Sequence, residues 1–249
     1  MTGNTILITG GASGIGLALA ELFCNEQNTV IIVGRDEQKL IKARMKYPGL
    51  NIVQADITNE QDRQRLVADV EQRFPGLNVL VNNAGAAFIS DPQTPDSYEK
   101  ICVEIDTNYL APVRLIQLFL GLLRQQPSAS VINITTAGVF LPLSMMAGYS
   151  ASKAALHSFT SSLRLLLADT SIKIFEVLPP PVDTEMVSMF SMRKMSPELL
   201  AAKILHGLRK DRLDMPIGTA RALRWMARLA PRFAAAMSHK QMQKATRIP

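Results

Sequence analysis

Short, wholly apolar runs alternate with longer stretches of helical periodicity along the chain. Thr5-Ile6-Leu7-Ile8 ends in Thr9-Gly10-Gly11 and is followed by a helical pattern from Gly14 to about Cys24. Thr29-Val30-Ile31-Ile32-Val33 stops at Gly34, and a helix carrying Leu40, Ala43 and Met45 comes next. Asn51-Ile52-Val53 predicts a third strand, with Thr58 as N-cap of a helix running to about Arg73. Val79–Val81, Val131–Ile134 and Ile172–Val177 predict three more strands, separated by helices around 104–124 and 150–168. A short seventh strand is expected near Arg212–Ile217. Strands that are apolar throughout, rather than at every second position, are covered on both faces, and strand–helix alternation makes a sheet parallel. The expectation is a doubly wound α/β fold of about seven strands with helices on both faces, in a single domain spanning 1–249.

Composition narrows the class. The 249 residues are 47 % hydrophobic and 19 % charged, enough apolar material for a sizeable core and too much for a disordered chain. The start, Met1-Thr2-Gly3-Asn4-Thr5, has no basic n-region or long apolar stretch, which predicts no secretory signal and a cytoplasmic protein. Residues 125–152 carry no charge, but Asn133, Gly138 and Pro142 interrupt them, so a buried strand and loop is expected rather than a membrane span. Cys24 and Cys102 stand apart without metal-ligand spacing, and are read as reduced thiols with no metal site.

The net charge of +6 is concentrated at one end: residues 215–249 hold seven Arg and Lys and no Asp or Glu. General nucleic-acid binding is not what this pattern indicates. Arg221, Arg224, Arg228 and Arg232 recur at helical spacing over 219–237, with Leu223, Trp225, Met226, Leu229 and Phe233 around the same helix, so 219–249 is read as a basic helical tail. Such a helix either packs on its own domain and leaves an arginine stripe in water, the favoured reading, or lies on an anionic membrane surface as a peripheral contact.

Between the first strand and the first helix stands Thr9-Gly10-Gly11-Ala12-Ser13-Gly14-Ile15-Gly16. A turn at this place lets a ligand approach bare backbone, and the helix that follows offers unpaired N–H groups to a pyrophosphate, as in Rossmann-type sheets. The alternative is a purely structural glycine turn. At the end of the second strand, Gly34 takes the place where an NAD-type acidic residue would be expected, and Arg35 follows. A guanidinium there can pair with a 2′-phosphate, which favours NADP(H) over NAD(H), with Ser13 as a further contact. Tyr149 and Lys153, at i and i+4, share one face of a helix. A phenol titrates near ~10 in isolation, and an adjacent ammonium would lower that value toward a working acid/base. A surface lysine beside a half-buried tyrosine is the plain alternative.

Taken in order, the turn at Thr9–Gly16, Asn82-Asn83-Ala84-Gly85, Asn108, Asn133-Ile134-Thr135-Thr136, Tyr149-Ser150-Ala151-Ser152-Lys153 and Pro179-Pro180-Pro181-Val182-Asp183-Thr184 resemble the short-chain dehydrogenase/reductase family over roughly residues 3–190. Within it the chain looks most like the DltE-like oxidoreductases. The resemblance implies catalytic roles for Tyr149 as acid/base, Lys153 beside it, Thr136 at the substrate oxygen, and Asn108 holding a water of a proton relay. It implies a cofactor site of Gly10, Ser13, Gly14, Ile15, Gly16, Arg35, Asp56, Ile57, Asn83, Ala84, Gly85, Tyr149, Lys153, Val182 and Thr184. Asp56 and Ile57 would flank the adenine, and Val182 and Thr184 the nicotinamide half. Two positions depart from the family pattern. Thr136 stands where Ser is usual and adds a methyl, and Pro180 replaces Gly and stiffens its loop.

The partners expected are a small-molecule carbonyl or alcohol, apolar because Phe88, Phe140, Leu141, Met145, Met146, Met186, Met189 and Phe190 lie in segments bordering the site. The resemblance also implies a homodimer through the helices around 104–124 and 150–168. His157 is read as a packing or interface residue. An NADP(H)-binding sensor or scaffold without catalysis is the alternative function, and the complete Tyr149, Lys153 and Asn108 set argues against it. Sugar-nucleotide epimerisation would want a larger C-terminal substrate domain.

Overall fold

The computed structural model describes residues 1–91 and 93–246. Seven strands form one sheet, parallel throughout, in the order β3-β2-β1-β4-β5-β6-β7. They are β1 (Thr5–Thr9), β2 (Thr29–Gly34), β3 (Leu50–Gln54), β4 (Leu77–Asn82), β5 (Ala129–Ile134), β6 (Ile172–Leu178) and β7 (Asp214–Pro216). The helices between them are α1 (Gly14–Asn25), α2 (Glu37–Lys46), α3 (Glu60–Arg73), α4 (Ser97–Ile105), α5 (Ala111–Arg124), α6 (Ala147–Leu166) and α7 (Pro197–Arg209), followed by α8 (Ala220–Leu229) and α9 (Pro231–Thr246).

Adjacent residues of one strand feed opposite cores, which explains the unbroken apolar runs. Ile6 and Ile8 pack with Leu19 and Phe23 of α1 and Leu200 and Ile204 of α7. Leu7 packs on the other face with Leu66 of α3, Phe119 of α5 and Leu163 of α6. All seven expected strands are present, and the sheet with helices on both faces is the expected doubly wound, Rossmann-type fold.

Four expectations are corrected. The α3 cap is Asn59, whose side chain accepts from Asp62 N, because the Thr58 hydroxyl is engaged in donating to Asp56 Oδ1 at 2.7 Å. The helix expected around 104–124 starts at Ser97 and is divided by a π-turn, Asp106–Leu110, centred on Asn108. Helix α7 was not foreseen, although its signal is explicit: the Ser196 hydroxyl caps it and Pro197 occupies its first position. The single helix expected over 219–237 is two, because Ala230 leaves helical geometry before Pro231.

Candidate active site

The strand order reverses at β1, and the crevice between the ends of β1 and β4 is where an open α/β sheet takes its ligand. The turn leading into α1 is built for close approach. Gly10 has φ +63°, and a Cβ there would come within 2.9 Å of Ala84 Cα. Gly14 has φ +52°, and its Cβ would stand 2.9 Å from Thr184 Cγ2, so the segment after β6 folds down onto this turn. The Ser13 side chain makes no cap bond, and the first turn of α1 has no acidic residue. The start of α1 therefore keeps its N–H groups and its partial positive charge for an anion. Asn83 braces the turn: its Nδ2 donates to Thr9 O at 2.9 Å and to Gly10 O at 3.2 Å.

Arg35 and Asp56 line a second groove beside β2 and β3. Arg35 is exposed, whereas the neighbouring Asp36 carboxylate accepts from Lys39 N as the cap of α2. Ile57 is buried, and its carbonyl accepts from Arg63. Ile15 and Gly16 are packed in α1, and Val182 is buried and paired with Met195. These residues fit an extended dinucleotide: a bare-backbone cradle in the middle, a guanidinium without an ion pair among the described residues at one end, and the tyrosine cluster at the other.

That cluster is assembled by inward hydrogen bonds. Asn108 Nδ2 donates to Ala86 O at 2.8 Å and to Ser152 Oγ at 2.9 Å, and its Oδ1 accepts from Ala86 N at 2.8 Å. Ser152 Oγ in turn donates to Tyr149 O. Lys153 Nζ, buried one turn after Tyr149, donates to Ile134 O at 2.8 Å. A Cβ at Gly85 would lie 3.2 Å from Asn108 Oδ1 and 3.9 Å from Lys153 Nζ, so Gly85, Asn108 and Lys153 converge. Thr136 Oγ1 accepts from Gly138 N at 3.1 Å and hydrogen-bonds the Tyr149 phenol.

The electrostatics depart from expectation. Burial raises the Tyr149 phenol above its ordinary value, against the Thr136 hydrogen bond and with a small contribution from Glu104. Lys153 is not among the groups that shift the phenol, and burial pushes the lysine itself down to about 8. Glu104 was not foreseen at all. It lies inside the apolar stretch Ile101–Ile105, fully buried, with Oε1 accepting from Phe88 N at 2.7 Å and Oε2 without a partner among the described residues. An acidic residue interrupting an apolar helix face was the available signal.

The apolar surround is only partly as expected. Tyr149, Met145, Met146 and Phe190 do come together, joined by Met242 and Ala245 from α9, which the sequence does not place there. Phe140 turns away to meet the His157 ring at 6.0 Å, with Arg224 above it. His157 is a packing residue, as expected: its Nδ1 bonds the buried Glu176, which also accepts from Thr135 Oγ1 at 2.7 Å. Cys24 and Cys102 are free and partly buried. Among the described residues, no helix is long and apolar enough to cross a membrane.

Residues 4–194 match the family model described as short chain dehydrogenase. The chain belongs to this family. It is 43 % identical over 187 residues to the uncharacterized oxidoreductase DltE of Bacillus subtilis, covering 74 % of this chain and 73 % of that protein. An uncharacterized oxidoreductase of Staphylococcus aureus is 30 % identical over 216 residues, 84 % of this chain and 92 % of its own. A short chain dehydrogenase of Burkholderia cenocepacia solved with NADP superposes with a TM-score of 0.85 at 24 % identity, covering 100 % of this chain and 99 % of that one. Actinorhodin polyketide ketoreductase with NADPH superposes with a TM-score of 0.76 at 25 % identity, covering 83 % and 91 %. Membership makes the protein an oxidoreductase and agrees with the DltE-like resemblance of its motifs.

Proposed function

We propose that the protein is an NADP(H)-dependent oxidoreductase that interconverts a carbonyl and an alcohol on an apolar small molecule, with Tyr149 as the acid/base. The observation that carries this reading is the Tyr149 phenol, hydrogen-bonded to Thr136 and set in a methionine-rich apolar cluster, one helical turn from Lys153. NADP(H), when bound, supplies or accepts the hydride. The Gly10–Gly16 turn and the start of α1 hold its pyrophosphate, Arg35 its 2′-phosphate, Asp56 and Ile57 its adenine side, and Val182 and Thr184 its nicotinamide half. The Arg35 side chain, exposed and without an ion pair among the described residues, supports NADP(H) over NAD(H).

In the reducing direction Tyr149 gives its proton to the substrate oxygen while the Thr136 hydroxyl holds that oxygen in place. The raised phenol value keeps this proton on Tyr149 at neutral pH. Lys153 and Asn108 stand behind it as the route by which the proton is replaced. Met145, Met146 and Phe190 exclude water from the reacting end of the substrate.

The reading includes a homodimer, because Tyr98 and Val103 on α4, Leu110 at the end of the π-turn and Leu165 and Leu166 at the end of α6 leave large apolar surface exposed. It also includes a reducing, cytoplasmic setting in keeping with the free thiols. Carbonyl and alcohol panels followed by NADPH absorbance test the central claim. Tyr149→Phe should lower turnover by at least ~100-fold, the usual worth of a positioned acid/base, with NADPH binding retained. Normal reduction by that variant would refute the assignment.

A further inference from the structure

Helix α9 packs one face on the Tyr149 cluster, and α8 and α9 leave a second face without a partner among the described residues. Along α9, Ala234, Ser238, Met242 and Ala245 are buried at helical spacing, and Met242 and Ala245 complete the cluster around Tyr149. Ser191 N donates to Ala245 O at 3.2 Å, fastening α9 to the segment that follows Thr184. The outward side differs in kind. Trp225 and Leu229, one turn apart on α8, and Phe233, on α9 just after the break at Ala230, are 62 %, 77 % and 65 % exposed. Arg221, Arg224, Arg228 and Arg232 are exposed beside them. At the Arg221 end this stripe meets a groove of about 440 Å³ that Lys203, His206 and Arg212 also line. Its acidic residue, Asp214, is held by Arg164 at 2.9 Å.

Three large apolar side chains held in water forgo the gain of burial, so a surface of this kind has an occupant. A second copy of the chain is a poor one. A two-fold interface on this face would bring arginine against arginine, with no acidic residue from 215 to 249 to answer them. An anionic bilayer answers both features: its phosphates meet the arginines, and its acyl boundary takes Trp225, Leu229 and Phe233.

We propose that the exposed face of α8 and α9 docks on an anionic phospholipid membrane, from which the protein draws a lipophilic carbonyl or alcohol to Tyr149. The second half rests on the oxidoreductase reading of Tyr149. The first half does not.

Trp225 is the only tryptophan, so its emission reports this face alone. Phosphatidylcholine vesicles with and without phosphatidylglycerol are the probes. The expected result is a blue shift and co-sedimentation with the anionic vesicles only. Arg221→Gln/Arg228→Gln should weaken partitioning about thirtyfold, ~2 kcal/mol at ~1 kcal/mol per arginine, and Leu229→Gln/Phe233→Gln should shrink the blue shift. No binding to anionic vesicles, or equal binding to neutral ones, would overturn the docking. So would an oligomer that Leu229→Gln/Phe233→Gln dissociates in the absence of lipid, which would make a second copy the occupant. With decanal in anionic vesicles and propanal in solution, Leu229→Gln/Phe233→Gln should raise KM for decanal alone. An unchanged decanal KM overturns delivery from the membrane. Vesicle binding without turnover of either aldehyde leaves the docking standing and defeats the oxidoreductase reading instead.

Discussion

Burial acts in opposite directions on Tyr149 and Lys153, raising the phenol and lowering the ammonium to about 8. The lysine is then the group whose titration falls within the working range of pH. We expect kcat/KM for the cofactor, which reports the free enzyme, to fall as pH rises through about 8 and Lys153 loses its proton. Lys153→Met should remove that limb along with most of the activity. The sign for stability is the reverse. A lysine whose folded value is depressed penalises the fold while charged, so its contribution improves between about 8 and the ordinary 10.5. Thermal unfolding across that interval, with and without Lys153→Met, measures it. At the other end of the groove, Arg35→Ala removes a charge-assisted contact worth about 1.5–3 kcal/mol. KM for NADPH should rise roughly 10- to 100-fold while that for NADH scarcely moves. Equal losses for both would detach Arg35 from the 2′-phosphate.

Between elements, the contact that positions Tyr149 is the packing of α4 on α6. Gly148 permits it: a Cβ there would overlap Glu104 Oε2 and stand 2.8 Å from Ile101 Cγ1. Gly148→Ala should cost about 1–3 kcal/mol by overpacking and displace the first turn of α6 with its tyrosine. Denaturant unfolding gives the cost, and a loss of turnover beyond the loss of folded protein gives the displacement. The π-turn at Asp106–Leu110 serves the same end. Its extra residue lets Asn108 face inward to Ala86 and Ser152, and π-turns commonly mark functional sites. On the far side of α6, the bonds from His157 and Thr135 to Glu176 tie the helix to β5 and β6.

For the whole molecule, the exposed apolar residues of α4, the π-turn and α6 are the surface on which a dimer is expected. Leu165→Lys/Leu166→Lys places charges where Leu165 and Leu166 are 80 % and 77 % exposed, so the monomer should fold while the dimer dissociates. Sedimentation velocity distinguishes the two, and an unchanged dimer would move the interface elsewhere.

The seven strands, the glycine turn and the spacing of Tyr149 and Lys153 were legible in the chain because each depends on residues close in sequence. Runs such as Val30–Val33 are apolar throughout only if both faces are covered, and i, i+4 residues share a helix face wherever the helix packs. Local sequence could not show that Glu104 would be sealed under Gly148, since they are brought together only when α4 lies on α6. Nor could it show the direction of the Tyr149 shift, because desolvation depends on everything packed around the phenol and outweighed the hydrogen bond from Thr136. The packing of α9 on the Tyr149 cluster came from the same source. Met242 and Ala245 reach Tyr149 across nearly 100 residues of chain, and whether Trp225 faces core or water was decided by which side of α8 the rest of the molecule had already filled.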